Sequence, residues 1–153
     1  MARTIDAIII GAGQAGPSLA GSLTGAAMSV TLIERKFIGG TCVNTACTPT
    51  KTLIASAYAA NLARRAAEYG LSIGGPVSVD MKRINARKDT VVGASRIGLE
   101  AWLRGMANCA VYKGHARFRQ PRRTGRNCVR EALFAAPSPD SQRLNLPHSS
   151  IRN

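Results

Sequence analysis

The stretch Ile8-Ile9-Ile10-Gly11-Ala12-Gly13-Gln14-Ala15-Gly16 decides the fold of this chain. An apolar run of this length is typical of a buried parallel strand, and the glycines after it follow the spacing G-x-G-x-x-G. The first glycine permits a tight turn, the second lets backbone approach a pyrophosphate, and the third lets a helix pack closely on the strand. The pattern therefore predicts the strand, turn and helix of a nucleotide-binding unit.

A second β-rich run, from Ser29 to Ile33, completes a β-α-β unit of about thirty residues. It ends at Glu34, whose carboxylate can accept hydrogen bonds from the hydroxyls of a ribose. The alternative is a glycine-rich turn that binds nothing, but the strand, the helix and the acid at the expected distance favour the nucleotide site. The motif alone does not distinguish FAD from NAD.

Apolar side chains at four-residue spacing predict a helix that Pro49 opens and that reaches about Tyr69. Gly70 is placed to end this helix in the left-handed conformation. The apolar face of the helix is predicted from the spacing of Ile54, Tyr58 and Leu62.

Further along the chain, Asp80 can cap a helix that runs to about Leu103. The run from Cys109 to Phe118 then predicts another strand. Strands that alternate with helices indicate an α/β fold in which helices flank a parallel sheet.

Two cysteines, Cys42 and Cys47, lie five positions apart and lead into the predicted helix start. A four-residue gap can close into a disulfide if the intervening loop begins to wind as a helix. A helix N-terminus favours the thiolate at Cys47, and Lys51 adds positive charge one turn later. The pair therefore indicates thiol–disulfide exchange chemistry.

A zinc site and a pair of inert buried thiols are the alternatives to exchange chemistry at these two cysteines. Zinc needs two further ligands at matching spacing, and the remaining cysteines and histidines show no such spacing. No metal ligands are predicted for that reason. The flanking glycines and the Pro-x-Lys sequence argue against two inert thiols.

The formal net charge of +13 comes mostly from arginine. Such a charge is compatible with a nucleic-acid partner, but aromatic residues do not alternate with the basic ones as a base-stacking surface requires, so we do not expect one. No apolar run is long enough to span a bilayer, and the N-terminus lacks a signal peptide. We expect a cytoplasmic protein without a membrane partner.

The composition changes after Phe118. Residues 119–153 hold seven arginines, four prolines and no lysine, with almost no hydrophobic period. We therefore predict two parts. Residues 1–118 form a nucleotide-binding domain with a thiol pair, which the family resemblance described next implies to be a partial FAD-binding domain with a redox disulfide. Residues 119–153 are a tail rich in Arg, Pro and Ser that is disordered or comes from an unrelated reading frame.

The sequence Gly39-Gly-Thr-Cys-Val-Asn-Thr-Ala-Cys-Thr-Pro-Thr-Lys51 resembles the hallmark G-G-T-C-x-N-x-G-C-x-P-[ST]-K of the class I pyridine nucleotide–disulfide oxidoreductases. That family includes dihydrolipoamide dehydrogenase, glutathione reductase and mercuric reductase. The resemblance covers about residues 4–118. It implies a Rossmann-like FAD-binding domain, incomplete in this chain, which looks like a truncated N-terminal portion.

The resemblance also implies roles for individual residues. Cys42 would be the interchange thiol that meets the substrate, and Cys47 would be the thiol that faces the flavin, with Lys51 near the flavin ring. Ala116, in the segment Gly114-His115-Ala116 of the last predicted strand, would pass the adenine. The residues implied at the FAD diphosphate and the adenosine ribose are Gly11, Gly13, Gly16, Thr41 and Glu34.

In the scheme that the family implies, NAD(P)H reduces FAD, FAD reduces the Cys42–Cys47 disulfide, and Cys42 passes the electrons to a disulfide or to a metal ion such as Hg(II). The full-length family members are homodimers. One alternative is a catalytically inactive FAD-binding fragment, and a further alternative, supported by charge alone, is a basic nucleic-acid-binding module.

This chain departs from the hallmark at Ala46, where the family has glycine. If that position requires a positive φ, the alanine adds strain of about 1 kcal/mol. The strain would distort the loop between the cysteines.

Overall fold

The computed structural model describes residues 5–118, 122–124, 127–129 and 132–135. The chain divides into two compact units, one built from Met1–Gly40 and Gly98–Asn153 and the other from Thr41–Ile97. The helices are α1 (Ala15–Gly25), α2 (Gly40–Asn44), α3 (Cys47–Arg64) and α4 (Met81–Arg104), with a 3-10 turn at Ala66–Tyr69. The strands are β1 (Ala7–Ile10), β2 (Val30–Glu34), β3 (Cys109–Lys113), β4 (His115–Phe118), β5 (Arg122–Thr124), β6 (Asn127–Val129) and β7 (Ala132–Ala135).

A parallel sheet in the order β1-β2-β3 forms the centre of the first unit. β2 lies in the middle, and its first four residues are all buried, as expected for a strand that is covered on both faces. Leu32 and Leu103 are fully buried, and burying a side chain of this size contributes about 1.5–3 kcal/mol. The prediction of a Rossmann-like α/β domain with an incomplete sheet is confirmed. The core comprises Ile9, Ala12, Ala20, Val30, Leu32, Ile38 and Leu103.

The strand predicted from Cys109 to Phe118 is divided into β3 and β4 at Gly114. The Gly114 N–H still donates to the Glu34 carbonyl oxygen of β2 at 2.8 Å. The parallel pairing of β3 with β2 ends just before it, at Lys113. β4 then pairs antiparallel with β7, and β5 pairs with β6. These last strands are the part of 119–153 that the structure describes, and the boundary at residue 118 stays a prediction.

Two predicted boundaries in the second unit were wrong. Gly40–Asn44 is a short helix where a loop was predicted, and α3 begins at Cys47 rather than at Pro49. Proline is tolerated anywhere in the first turn of a helix because no intrahelical bond needs its missing N–H. α3 ends at Arg64. The 3-10 turn after it ends at Gly70, whose φ of +72° confirms the predicted left-handed cap.

The apolar face predicted for α3 was also wrong. Ile54 and Tyr58 are 61% and 62% exposed, and the only residue of this helix that is buried is Thr52. Four-residue spacing identifies a face of a helix but not the side of the unit toward which that face turns. In the described part of the chain, no helix is long and apolar enough to cross a membrane.

Helix α1 ends in a Schellman motif. The Met28 N–H donates to the Leu23 carbonyl at 3.1 Å and the Ala27 N–H donates to the Thr24 carbonyl at 3.0 Å. The motif requires a left-handed residue, and here that residue is Ala27, with φ of +60°. Glycine is the usual residue at this position because a Cβ makes the left-handed conformation costly.

We therefore expect Ala27→Gly to raise the free energy of unfolding by about 1 kcal/mol, as measured by urea denaturation. Ala26→Gly is the matched control, because Ala26 has φ of −86° and gains only backbone entropy in the unfolded state. That variant should be less stable than the wild type. Equal effects of the two substitutions would contradict strain at Ala27.

Candidate functional site

A cavity of 210 Å³ lies in the first unit at the carboxyl ends of the parallel strands. This is the edge at which open α/β sheets bind their ligands. The cavity brings together three residues that the sequence proposed for one nucleotide, namely Gly11, Glu34 and Ala116. The segment Gly114-His115-Ala116, expected at the adenine, lines the cavity as a whole, whereas sequence reasoning did not assign the remaining lining residues, Ile10, Ile33 and Arg35.

Two backbone N–H groups fix the carboxylate of Glu34. The Ala12 N–H donates to Oε2 at 2.7 Å and the Lys36 N–H donates to Oε1 at 2.8 Å. Each carboxylate oxygen can accept a second hydrogen bond, so both remain able to accept from ribose hydroxyls. Glu34 therefore also ties the glycine-rich loop, through Ala12, to the end of β2.

The three glycines of the motif have different structural reasons to lack a side chain. Gly11 has φ of +102°, which favours glycine. A Cβ on Gly16 would overlap the carbonyl oxygen of Gly11, so only glycine lets α1 pack this closely on the end of β1. A Cβ on Gly13 would meet nothing within 4 Å. Backbone conformation therefore explains Gly11 and packing explains Gly16, but neither explains Gly13.

Sequence reasoning treated Gly39 and Gly40 only as part of a loop and a hallmark, and it missed their packing role. The Gly39 N–H donates to the Ala12 carbonyl at 2.7 Å. Gly40 has φ of +55°, and a Cβ there would lie 2.8 Å from the Gly13 Cα. The Gly39–Gly40 segment thus packs backbone against backbone on the Ala12–Gly13 segment. Two adjacent glycines directly after a buried apolar residue are the sequence signal for such an approach.

These features suit the ADP half of FAD. Gly13 lies beside open space that a side chain would reduce. It is close to the first turn of α1, whose N–H groups have no acceptor within the helix and can bind a phosphate. The carboxylate of Glu34 and the adjoining cavity lie on the same sheet edge. The donor and acceptor set therefore fits a diphosphate, a ribose and a flat base.

The second unit brings the two cysteines and Lys51 together. Cys42 lies in α2 and is half-buried, whereas Cys47 is the first residue of α3 and is exposed; both are free thiols. The Thr45 and Ala46 N–H groups both donate to the Thr41 carbonyl at 2.9 Å. This tight turn folds the end of α2 back and allows the two cysteines to meet.

A hydrogen bond to Cys47 raises the pKa of the Cys42 thiol above its usual range, and burial and the charge of Cys47 act in the same direction. The Cys47 backbone N–H and the Lys51 ammonium oppose this rise by stabilising the Cys42 thiolate. The thiols are therefore in direct contact, and Lys51 is close enough to affect Cys42. Within the described residues, no three His, Cys, Asp or Glu side chains cluster as metal ligands.

The positive φ considered at Ala46 is not adopted. Its φ is −125°, and Ala27 is the only non-glycine residue with positive φ in the described part of the chain. An alanine at this position is compatible with the turn because the double hydrogen bond to Thr41 forms without a left-handed residue.

Comparisons with known proteins identify the family of the chain. The family model described as "Pyridine nucleotide-disulphide oxidoreductase" matches residues 5–100. The chain is 39% identical over 104 residues to dihydrolipoyl dehydrogenase of Chlamydia muridarum, an alignment that covers 68% of this chain and 22% of that protein. It is 34% identical over 145 residues to a dihydrolipoyl dehydrogenase of Bacillus subtilis, covering 91% of this chain and 31% of that one.

Among solved structures, the chain is similar to the Cu(II) complex of HOCl-induced flavoprotein disulfide reductase RclA from Escherichia coli. The TM-score is 0.61 at 35% sequence identity, over 76% of this chain and 23% of that one. The chain therefore spans about a quarter to a third of the length of the relatives that it matches.

The second and third glycines of the motif should respond differently to substitution by alanine. We expect Gly16→Ala to destabilise the protein by about 2–3 kcal/mol, within the range of overpacked cores, because its Cβ meets the Gly11 backbone. Gly13→Ala should leave the urea midpoint nearly unchanged while weakening the binding of ADP in calorimetric titrations. Loss of stability in Gly13→Ala, or unchanged ADP affinity, would contradict this division of roles.

The pH dependence of Cys42 alkylation should follow the charges around it. Cys47→Ala removes the first cause of the raised pKa, so the Cys42 thiolate should form at lower pH. Lys51→Met removes a stabilising charge, so the thiolate should form at higher pH. Rates of iodoacetamide labelling of the Cys42 peptide, followed by mass spectrometry across pH, measure both shifts. Shifts of the same sign in the two variants would contradict the assignment.

Proposed function

Because this chain belongs to the pyridine nucleotide–disulphide oxidoreductase family, we propose that it supplies the FAD-binding and dithiol-bearing part of a flavin-dependent disulfide oxidoreductase. The observation that carries the proposal is the turn closed on the Thr41 carbonyl, which brings two free thiols, Cys42 of α2 and Cys47 of α3, side by side. A nucleotide cavity at the sheet edge of the other unit supports it. Neither feature alone indicates this activity. The combination of a nucleotide site with a thiol pair is what the family implies.

The family implies FAD as the cofactor and NAD(P)H as the co-substrate. Glu34 would accept hydrogen bonds from the ribose, Gly13 would leave room for the diphosphate, and Gly11 and Gly16 would shape the loop around it. Ala116 would lie by the adenine. In the other unit, Thr41 is proposed for the diphosphate and Lys51 for the flavin ring. When bound, FAD supplies the two-electron exchange between NAD(P)H and the dithiol.

The thiol chemistry follows from the arrangement of the two cysteines. The Cys42 Sγ attacks one sulfur of a substrate disulfide, the substrate S–S bond breaks, and the leaving thiolate takes a proton. That proton is the one that Cys42 releases, and Cys47 gives its own proton to the second leaving thiolate. The Cys47 Sγ then attacks Cys42 in the mixed disulfide and releases the second substrate thiol. The substrate gains two electrons, and the Cys42–Cys47 disulfide forms.

A thiophilic metal ion is a second candidate for the electron acceptor. Two thiols in contact offer the soft ligands that such ions prefer, and a similar solved structure is titled as a Cu(II) complex. Hg(II) is proposed on the same chemical grounds. A disulfide remains our first candidate, because that solved structure is titled a disulfide reductase.

For the whole protein we propose a homodimer in the cytoplasm, as the family implies. The alternative for this chain is an FAD-binding fragment that does not turn over. Steady-state oxidation of NAD(P)H by the FAD-loaded chain, with a disulfide present, distinguishes the two. Nucleic-acid binding has only the net charge in its favour.

The proposed function predicts that the reduced chain, incubated with excess glutathione disulfide and trapped with N-ethylmaleimide, contains an internal Cys42–Cys47 disulfide. Peptide mass spectrometry should detect this bridge, and Cys42→Ser should abolish it. Cys109→Ser should leave it unchanged, because burial raises the pKa of that thiol and slows its exchange. Titration with FAD provides the second measurement. A chain that forms no bridge and binds no FAD would refute the proposal.

A further inference from the structure

Helix α3 buries a hydroxyl residue, Thr52, more deeply than any of its apolar residues. Thr48, Thr52 and Ser56 follow at four-residue spacing and therefore share one face. Thr52 is only 7% exposed, whereas Ile54 and Tyr58 are more than half exposed. A helix of a globular protein usually packs through an apolar stripe. Polar contacts must therefore contribute to the position of α3.

The polar partner is Arg87 on helix α4. Its Nη1 donates to the Thr52 carbonyl oxygen at 3.2 Å and to Ser56 Oγ at 3.4 Å. A hydrogen bond from a charged donor is stronger than one between neutral groups. The guanidinium therefore joins the two helices at the buried point of α3.

The hydrogen bonds continue from Arg87 toward the redox thiols. The Thr52 Oγ1 donates to the Thr48 carbonyl oxygen at 2.8 Å, and Thr48 directly follows Cys47 in the first turn of α3. The chain of contacts thus runs from Arg87 to Thr52 and then to Thr48. A displacement of α3 relative to α4 would be transmitted to the first turn, which carries Cys47.

We propose that Arg87 is a positioning residue for the Cys42–Cys47 couple, because it fixes the first turn of α3 through Thr52 and so keeps the two thiols in contact. This inference rests on the proposed function, in which the two cysteines exchange between dithiol and disulfide. Thiols held together have a high effective concentration toward each other, which favours the intramolecular disulfide. Arg87 would therefore affect the redox equilibrium without touching either sulfur.

The test is the equilibrium of the full chain with mixtures of reduced and oxidised glutathione. Oxidation removes two electrons and two protons from Cys42 and Cys47, and the same electrons convert one glutathione disulfide into two glutathione thiols. We expect Arg87→Ala to lower the equilibrium constant for bridge formation on the order of fivefold, as expected from the loss of a charge-assisted hydrogen bond. Arg87→Lys should restore part of it, because an ammonium keeps the charge but lacks the planar fork.

Arg83→Ala is the matched control, since Arg83 lies one turn earlier on α4 and is exposed like Arg87, but the hydrogen bonds to α3 come from the Arg87 side chain. It should leave the equilibrium constant unchanged. If Arg87→Ala does not fold, as judged by circular dichroism and urea denaturation, the equilibrium constant of Thr52→Val tests the proposal instead. That substitution keeps the shape of the side chain but removes the bond to the Thr48 carbonyl. Its control is Thr90→Val, which removes an equivalent bond to the Ala86 carbonyl within α4.

An unchanged equilibrium constant in folded Arg87→Ala, or equal effects of Thr52→Val and Thr90→Val, would overturn the positioning role. A wild-type chain that forms no Cys42–Cys47 bridge at any glutathione ratio would instead refute the proposed function. The two failures are distinguishable because the first concerns variants of a chain whose bridge is already detected.

Discussion

Backbone segments approach each other around the glycine-rich loop more closely than side chains permit. A Cβ at Gly16 would overlap the Gly11 carbonyl, and one at Gly40 would lie 2.8 Å from the Gly13 Cα. These contacts bring the end of β1, the start of α1 and the chain after β2 together. The cavity and the position of Glu34 depend on this approach, because the Ala12 N–H that fixes the carboxylate lies in the same loop.

In both units, pairs of main-chain N–H groups hold a single acceptor group in place. Glu34 accepts two N–H groups in the first unit, and the Thr41 carbonyl accepts two in the second, where the turn brings the cysteines into contact. Backbone hydrogen bonds of this kind do not depend on the identity of the residue that donates. That is why Ala46 can occupy a position at which the family hallmark has glycine without adopting a positive φ.

The first two strands, the first helix and the glycine-rich loop were predictable because each rests on a local pattern: a short apolar run, glycines at fixed spacing, and an acid at the end of the second strand. The limits of α2 and α3 were not predictable, since proline is allowed at several positions of a first turn. The buried side of α3 was not predictable either. Its apolar residues repeat with helical spacing, yet Arg87, distant in sequence, lies against the hydroxyl side.

The sequence by itself determined the β-α-β order, the nucleotide motif and the presence of a thiol pair at a helix start, because these depend on residues that are close together in the chain. Only the tertiary structure decided that Gly39 and Gly40 pack on the glycine-rich loop, that the Ala12 N–H holds the Glu34 carboxylate, and that Arg87 lies against the hydroxyl side of α3. Those relations join groups whose distances are set when separate segments pack, and no local pattern records such distances.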